Sequence, residues 1–319
     1  MSHSNLISTC KIDNARNVIN DSASLSKRPF TKKSNIELVE ALRSNFSLAK
    51  DAEDPRDQSG SFSDEDVRQS SSRSSHPDHW TTSREDSVFV PSIDFSLSGL
   101  LEERSQYDIT VKLFFLPGSS ELSRCKHVQE AVDLVLKELH VSSLDLLIVS
   151  FPGISFEPTN ECPDDVVGRG SIDMDAIVET WKFLERLQSQ GTILRVGVAE
   201  FGQHRLQEFL SRITIRPAVD QINVPDACMV PKDLIAYAKT QNIALFTHSD
   251  CTNILPEGTI RKLLGSFGAD SLPNAVNDPD PWRLKGDIEP QWVIRYTAIV
   301  QNRGVIENKG YFAMAELIG

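Results

Sequence analysis

The chain has 319 residues, of which 39% are hydrophobic and 24% are charged, and its formal net charge at pH 7 is −12. This length is sufficient for one large globular domain or for two small ones. An acidic chain is unsuited to nonspecific binding of nucleic acid or of anionic membranes, because both need a positively charged surface. We therefore expect neither a nucleic-acid partner nor a membrane partner.

The hydrophobic segments and the cysteines bear on the compartment. No apolar run reaches the roughly 20 residues that are needed to cross a bilayer. The first residues, MSHSNLISTCKIDN, lack the apolar centre of a signal peptide. The five cysteines are an odd number without CxxC spacing. A reduced, cytoplasmic protein is therefore expected rather than a secreted one.

The first third of the chain divides into segments of different composition. Residues 1–33 are polar, and we expect them to be irregular. Ser34 and Glu37 then form a capping-box pattern ahead of an apolar stripe, which predicts a helix. From about residue 50 to residue 87 the chain is rich in Ser, Asp, Arg and Gln, with too little apolar surface to offset the entropy lost on ordering. We interpret this stretch as a disordered insertion inside a domain that spans residues 34–319.

Beyond the insertion, apolar runs of strand length alternate with amphipathic helical segments. The predicted strands are Val88–Phe95, Ile109–Leu116, Leu144–Val149, Ile193–Val198, Ala218–Ile222 and Ile243–Phe246. This rhythm indicates parallel strands joined by crossover helices. Counting the weaker early strands gives close to eight units, which favours an α/β fold of the closed (β/α)8 barrel type.

The C-terminal part is predicted to continue with helices. One helix is expected around Ile260–Leu264, and a loop rich in Pro and Asp follows it. A second helix is predicted for Gln291–Gln301, because Trp292, Tyr296, Ile299 and Val300 would lie on one side of it. Val305–Ile306 then gives a short final strand.

Two long strings carry a resemblance to a known family: DQINVPDACMVPKDLIAYAKTQNIALFTHSD and WVIRYTAIVQNRGVIENKGYF. From about Asp108 to Phe312 the chain resembles the aldo-keto reductases, unit by unit. More narrowly, it resembles the modifier (regulatory) subunits of glutamate–cysteine ligase, which are non-catalytic relatives of those reductases. The resemblance implies a barrel of the aldo-keto reductase kind with a truncated C-terminus.

The resemblance also locates the remnants of the reductase catalytic site. Reductases of this family use a tyrosine as the general acid, a lysine that lowers its pKa, and an aspartate and a histidine in support. The lysine matches Lys112 and the aspartate matches Asp94, whereas Ser150 replaces the histidine and Gly99 falls at the place of the tyrosine. We therefore expect no catalysis, and expect Lys112 to be an interior lysine paired with a carboxylate, for which Asp94 is the candidate.

The implied cofactor site is incomplete in the same way. Gln221 is kept, His248 replaces the tyrosine that stacks on nicotinamide, and Lys309 matches a phosphate-binding lysine. Ala199 and Glu200 replace a Ser-Asn pair, and a carboxylate cannot donate a hydrogen bond and repels phosphate. We expect these positions to be vestigial, with no cofactor required, NADPH not retained, and no metal site.

The resemblance implies that the partner is the catalytic subunit of glutamate–cysteine ligase, bound as a heterodimer. The family raises that subunit's apparent affinity for glutamate and relieves its feedback inhibition by glutathione. Within residues 218–309, Trp282 is the candidate anchor, because it lies in a proline-rich loop, while Trp292 is expected in the core. Cys228, at a predicted strand end, is a second candidate for partner binding, although buried inert thiols are more common.

Two other interpretations remain open on the sequence. The first is an active NADP-dependent aldo-keto reductase, which Lys112, Gln221 and Lys309 favour and the missing tyrosine opposes. The second is a scaffold controlled by phosphorylation, which rests only on the serine-rich insertion. A fluorescence titration with NADPH tests the first, and deletion of residues 55–85 tests the second.

Overall fold

The fold is described here from a computed structural model of the chain, which describes residues 5–11, 33–51, 80–84, 87–156, 173–224, 230–251, 253–266 and 286–318. The strands in these ranges are β1 (Asn5–Lys11), β2 (Thr82–Arg84), β3 (Ser87–Val90), β4 (Tyr107–Phe115), β5 (Leu144–Ser150), β6 (Ile193–Ala199), β7 (Val219–Asn223), β8 (Ala244–His248), β9 (Asp287–Val300) and β10 (Val305–Ile318). The α-helices are α1 (Lys33–Asp51), α2 (Arg124–Leu139), α3 (Met174–Ser189), α4 (Gln203–Leu210), α5 (Lys232–Thr240) and α6 (Thr259–Ser266). Across the same ranges, every helix is too short or too polar to span a lipid bilayer.

Five consecutive strands, β4 to β8, lie side by side and run parallel. One helix, α2 to α5 in turn, connects each strand to the next. Parallel neighbours need such a crossover, because the end of one strand and the start of the next lie at opposite ends of the sheet. The prediction of parallel strands joined by crossover helices is therefore confirmed for this part of the chain.

Helix α3 illustrates how the sequence positions these crossovers. The carboxylate of Asp173 accepts hydrogen bonds from the backbone N–H groups of Asp175 and Ala176, which caps the first turn. Trp181 is fully buried, and its indole N–H donates to the carbonyl of Ile215 at 2.8 Å. Gly191, with a φ of 79°, follows the helix and lets the chain turn back to β6.

The C-terminal segment is a β-hairpin and not a helix followed by a short strand. The predicted helix Gln291–Gln301 lies almost entirely in β9, and Val305–Ile306 begins β10, a strand of 14 residues. Strand β9 pairs antiparallel with both β4 and β10. Both faces of β9 are buried, Trp292 on one and Val293 on the other. The helix prediction was wrong because a strand buried on both faces lacks the alternation that identifies a strand.

Strand β1 joins the sheet from the segment that was expected to be irregular. It pairs antiparallel with β10, Asn5 lying opposite Glu316, and parallel with β3. The strand order is β2-β3-β1-β10-β9-β4-β5-β6-β7-β8. Asn5–Lys11 is therefore part of the same sheet as the predicted domain of residues 34–319, while residues 12–32 lie outside the described ranges.

The end of the predicted insertion is ordered as well. Residues 52–79 of that insertion lie outside the described ranges, but Trp80 is buried and packs on Phe46 with ring centroids 5.8 Å apart. Thr82–Arg84 forms β2, which pairs antiparallel with β3. The expectation of disorder is therefore wrong for this last part, because Trp80 finds an apolar partner far away in the chain.

Helix α1 confirms the predicted capping-box helix and covers a second apolar cluster. Its buried residues Leu38, Leu42 and Phe46 pack with residues of α6 and with one face of the β9–β10 hairpin. The first and larger cluster lies between the other face of the sheet and helices α2 to α5. The sheet is thus covered on two sides, which places its central strands in the interior.

Candidate functional site

A buried cluster of charged side chains lies where β4, β9 and the end of β8 meet. Nζ of Lys112, on β4, is 2.8 Å from Oδ2 of Asp250, which lies two residues after β8. Arg295 faces Lys112 from β9 and binds the same carboxylate. Its Nη1 is 2.8 Å from Oδ1 of Asp250, and its Nη2 is 3.1 Å from Oδ2. One carboxylate therefore accepts hydrogen bonds from two cations, and its contact with the guanidinium is bidentate.

Burial and charge act in opposite directions on the pKa values of this cluster. Burial alone would raise the pKa of Asp250, but contact with His248 and the positive charges of Lys112 and Arg295 hold that pKa well below its usual value. Burial lowers the pKa of the Lys112 ammonium, and the carboxylate of Asp250 offsets part of this effect. The Lys112 ammonium is therefore engaged by the carboxylate of Asp250.

Glu200 links His248 to the same cluster. Its Oε1 lies 2.6 Å from Nε2 of His248, and its Oε2 accepts a hydrogen bond from the backbone N–H of Phe156 at 2.8 Å. The backbone N–H of Asp250 donates to Nδ1 of His248 at 3.0 Å. Both ring nitrogens of His248 are therefore engaged, Nδ1 by that N–H group and Nε2 by the carboxylate of Glu200. Glu200 has a φ of 69°, an unusual conformation for a residue with a side chain, which these contacts hold in place.

A second group of polar contacts attaches α1 to this end of the sheet. Glu37 forms an ion pair with Lys309 of β10, and the hydroxyl of Tyr311 donates to the same carboxylate at 3.1 Å. The hydroxyl of Ser34 accepts a hydrogen bond from the backbone N–H of Cys251 at 2.9 Å. Since Cys251 directly follows Asp250, this hydrogen bond places the start of α1 next to the Lys112 cluster. The carboxylate of Glu37 neutralises the charge of Lys309.

None of the four tyrosines, all of which lie in the described residues, contacts the Lys112 ammonium. At the other end of β4, the Tyr107 hydroxyl donates to Glu307 at 2.6 Å and accepts from the backbone N–H of Glu102. The hydroxyl of Tyr311 faces Glu37, and its pKa is raised by burial and by that carboxylate. A general acid for carbonyl reduction needs a pKa near the working pH, and the described residues place no such group beside Lys112.

Asp94 is not the partner of Lys112, which corrects the prediction. Asp94 is exposed, and its side chain accepts a hydrogen bond from the backbone N–H of Ser96 at 2.9 Å, which caps the short 3-10 helix Phe95–Leu97. The carboxylate that binds Lys112 belongs to Asp250, 138 residues further along the chain. The sequence signal for Asp250 was its place just after a parallel strand, where side chains of neighbouring strands converge.

The other candidate positions are distributed over the same sheet. Ser150 ends β5 opposite Phe114, and Gln221 lies on β7 opposite Ala199. Oε1 of Gln221 is buried and has no hydrogen-bond partner among the described residues. His248 and Lys309 are both engaged by carboxylates, as described above.

The two predicted partner-binding residues, Cys228 and Trp282, lie outside the described residues, so their role stays a prediction. Trp292 is fully buried, as expected for a core residue. Sequence reasoning missed Arg295, Glu37 and Tyr311 as site residues. Arg295 and Tyr311 reach the site because β9 and β10 pair as strands, and Glu37 reaches it because α1 packs on that hairpin. Within the described ranges, no three His, Cys, Asp or Glu side chains are grouped so as to hold a metal ion.

Comparisons with known proteins agree with this geometry. Residues 97–255 match the Aldo/keto reductase family. The putative glutamate–cysteine ligase regulatory subunit of Schizosaccharomyces pombe is 33% identical over 223 residues, which cover 67% of this chain and 72% of that protein. The human glutamate–cysteine ligase regulatory subunit is 28% identical over 218 residues, with 68% and 69% covered. The NADPH-dependent D-xylose reductase of Meyerozyma guilliermondii is 33% identical over 130 residues, 39% of this chain and 41% of that protein.

Solved structures give a weaker likeness. The aldose reductase of Giardia lamblia is 22% identical, with 44% of each chain covered and a TM-score of 0.32. The Bombyx mori aldo-keto reductase in complex with NADP is 23% identical, with 50% of each chain covered and a TM-score of 0.31. The sequence relatives are decisive: the chain belongs to the family of glutamate–cysteine ligase regulatory subunits, and its α/β fold is of the aldo-keto reductase kind, as predicted.

Proposed function

We propose that this chain, as a member of that family, binds the catalytic subunit of glutamate–cysteine ligase and regulates it without catalysing a reaction itself. The observation that carries the proposal is the ion cluster of Lys112, Asp250 and Arg295. The lysine that would activate a tyrosine in a reductase is 3% exposed and bound to Asp250 and, among the described residues, no tyrosine hydroxyl contacts it. A fold that has lost its proton donor and keeps its core is suited to regulation by contact.

The proposed regulation is a shift between two states of the catalytic subunit. This chain would bind the glutamate-competent state more tightly than the glutathione-inhibited state. The difference between the two binding free energies then shifts the population toward the competent state. The expected result is a higher apparent affinity for glutamate and weaker feedback inhibition by glutathione in a cytoplasmic heterodimer.

Retention of NADPH is not part of the proposal, because the residues present do not fit that cofactor. Each cation that could meet its phosphates or its amide region is matched by an internal carboxylate: Asp250 binds Lys112 and Arg295, and Glu37 binds Lys309. Glu200 adds another negative charge beside His248. Among the described residues that match the cofactor site of the reductases, Gln221 has a buried Oε1 without a hydrogen-bond partner. A phosphate-bearing ligand would meet repulsion at each of these carboxylates.

Co-purification followed by kinetics tests the proposed function. The catalytic subunit is produced with and without this chain, and the rate of peptide-bond formation is measured as glutamate and glutathione are varied. We expect a stable complex with a lower half-saturating glutamate concentration and a higher glutathione concentration for half-inhibition. An active aldo-keto reductase of similar size serves as the control for nonspecific effects. A complex whose glutamate dependence equals that of the catalytic subunit alone would refute the proposal.

A further inference from the structure

Four large apolar side chains are exposed at the turn of the β9–β10 hairpin and in the loop beside it. Leu97 and Leu101 lie in the loop before β4 and are 86% and 87% exposed, while Val305 and Ile306 begin β10 and are 55% and 42% exposed. We call these four residues the hairpin patch. Single exposed apolar residues are normal on a protein surface, whereas a group of them marks an interaction site.

A hydrogen bond and an ion pair fix the loop against the hairpin at Leu101 and Glu102, which brings this part of the loop next to the start of β10. Oε1 of Glu307 accepts a hydrogen bond from the backbone N–H of Leu101 at 3.1 Å. The same oxygen accepts from the hydroxyl of Tyr107 at 2.6 Å. Arg303, in the hairpin turn, forms an ion pair with Glu102. Leu101 is therefore held beside Val305 and Ile306 by its own backbone N–H and by the side chain of the next residue, Glu102.

The hairpin edge at this patch is open in the described part of the chain. Strand β1 pairs with β10 from Gly310 to Glu316 only. Val305–Lys309 therefore has β9 on one side and no described strand on the other. Exposed apolar side chains at the start of a strand whose edge has no described strand beside it favour contact with another protein.

The charges around the patch indicate the kind of partner. The charged residues in segments 94–103 and 301–307 are Asp94, Glu102, Glu103, Arg303 and Glu307, so carboxylates strongly outnumber cations. The whole chain has a net charge of −12. A complementary partner surface would therefore be an apolar depression rimmed by Lys and Arg, since complementary rims steer association.

We infer that the hairpin patch docks on such a basic-rimmed apolar depression of the catalytic subunit. This inference rests on the proposed function and adds the location of the contact. It places the contact at the end of β4 opposite to the Lys112 cluster, so the partner does not need to enter the former reductase pocket. Glu103 and the paired Glu102 would lie at the rim, and Leu101 at the centre.

Two patch variants and two matched controls test the inference. Leu101→Asp and Val305→Asp place a charge in the patch, whereas Leu122→Asp and Leu48→Asp place the same charge at leucines that are 96% and 72% exposed elsewhere. Thermal unfolding shows that each variant is folded, and its dissociation constant for the purified catalytic subunit is then measured. We expect the patch variants to bind about tenfold more weakly or worse, and the controls to bind like the wild type.

A charge reversal tests the rim separately. Glu103→Lys should weaken binding mainly through a slower association rate, and Glu103→Gln should do so less. Raising the salt concentration should reduce the difference between the wild type and Glu103→Lys. Equal binding by patch variants and controls would overturn the patch inference while leaving the proposed function intact. Wild-type chain that does not bind would overturn both, and a patch variant that disrupts only a homodimer would assign the patch to self-association.

Discussion

The ammonium of Lys112 and the carboxylate of Asp250 are 2.8 Å apart, and both side chains are almost completely buried. The two residues are 138 positions apart in the chain and come from β4 and from the loop after β8. This pairing places a fixed carboxylate next to the lysine that matches the lysine of the reductases. It also makes Asp250 the single negative group that satisfies both Lys112 and Arg295.

Removing the charge of Asp250 should destabilise the fold strongly. Asp250→Asn leaves two buried cations without their carboxylate, which costs on the order of 3–5 kcal/mol in comparable buried pairs. Urea unfolding measures the loss. The matched control is Glu208→Gln, because the ion pair of Glu208 with Arg212 is on the surface and should contribute about 1 kcal/mol or less. Equal losses in the two variants would contradict the structural role assigned to Asp250.

The buried His127 should make stability depend on pH. Burial, together with the positive charges of Lys126 and Arg124, lowers its pKa from 6.5 to about 4. Between these two values the unfolded chain binds a proton that the folded chain does not. The free energy of unfolding therefore falls as the pH falls through this window. A shift of this size corresponds to about 3 kcal/mol at most.

The variant His127→Gln isolates this contribution. Its free energy of unfolding should change less than that of the wild type between pH 6.5 and pH 4, as measured by urea unfolding at several pH values. Asp250 acts in a different window: its depressed pKa gives stability that is present above about pH 4 and is lost as the pH falls further. Parallel pH profiles of wild type and variant would contradict this prediction, because they would show that His127 binds its proton over the same pH range in the folded and the unfolded chain.

A side chain at Gly197 should lower the stability of the fold. A Cβ atom at this position would lie 2.9 Å from the carbonyl oxygen of Val219 and 3.2 Å from its Cβ, so β6 and β7 would have to separate. We expect Gly197→Ala to lower the free energy of unfolding by about 1–3 kcal/mol. Gly202→Ala is the control, because a Cβ there meets no atom within 4 Å. A larger loss for the control than for Gly197→Ala would contradict the close approach of these strands.

NADPH should not bind in a saturable way. Titration of the chain into NADPH should leave the fluorescence of the nicotinamide unchanged. The carboxylates of Asp250, Glu37 and Glu200 already bind Lys112, Lys309 and His248, and they repel the phosphates of the cofactor. An active aldo-keto reductase gives the positive control under the same conditions. Saturable binding together with turnover of an aldehyde would favour the alternative of an active reductase.

The central βα units were predictable because their signal is local. Predicted strands such as Leu144–Val149 and Ile193–Val198 agree with β5 and β6 to within one residue. A parallel strand covered on both faces appears as an uninterrupted apolar run between amphipathic helices. The capping residue Asp173 marks the start of α3 in the same local way.

The C-terminal hairpin and the partners in the site were not predictable from such patterns. Trp292 and Val293 face opposite sides of β9 and are both buried, so the spacing of apolar residues there fits a helix as well as a strand. The ion pair of Glu37 with Lys309 joins positions 272 residues apart. Spacing along the chain does not encode contacts of this range, and the packing of α1 on the β9–β10 hairpin brings the two residues together.

The pairing of β1 with β10 has a consequence for the order of folding during synthesis. Asn5 is synthesised about 300 residues before its neighbour Glu316. At roughly 5–20 residues per second, β10 is synthesised many seconds after β1, so the pairing of these two strands forms late. Contacts of such long range also slow folding after release. The edge of β1 that faces β10 therefore stays unpaired until the end of β10 has been made, whereas its other edge can pair with β3 much earlier.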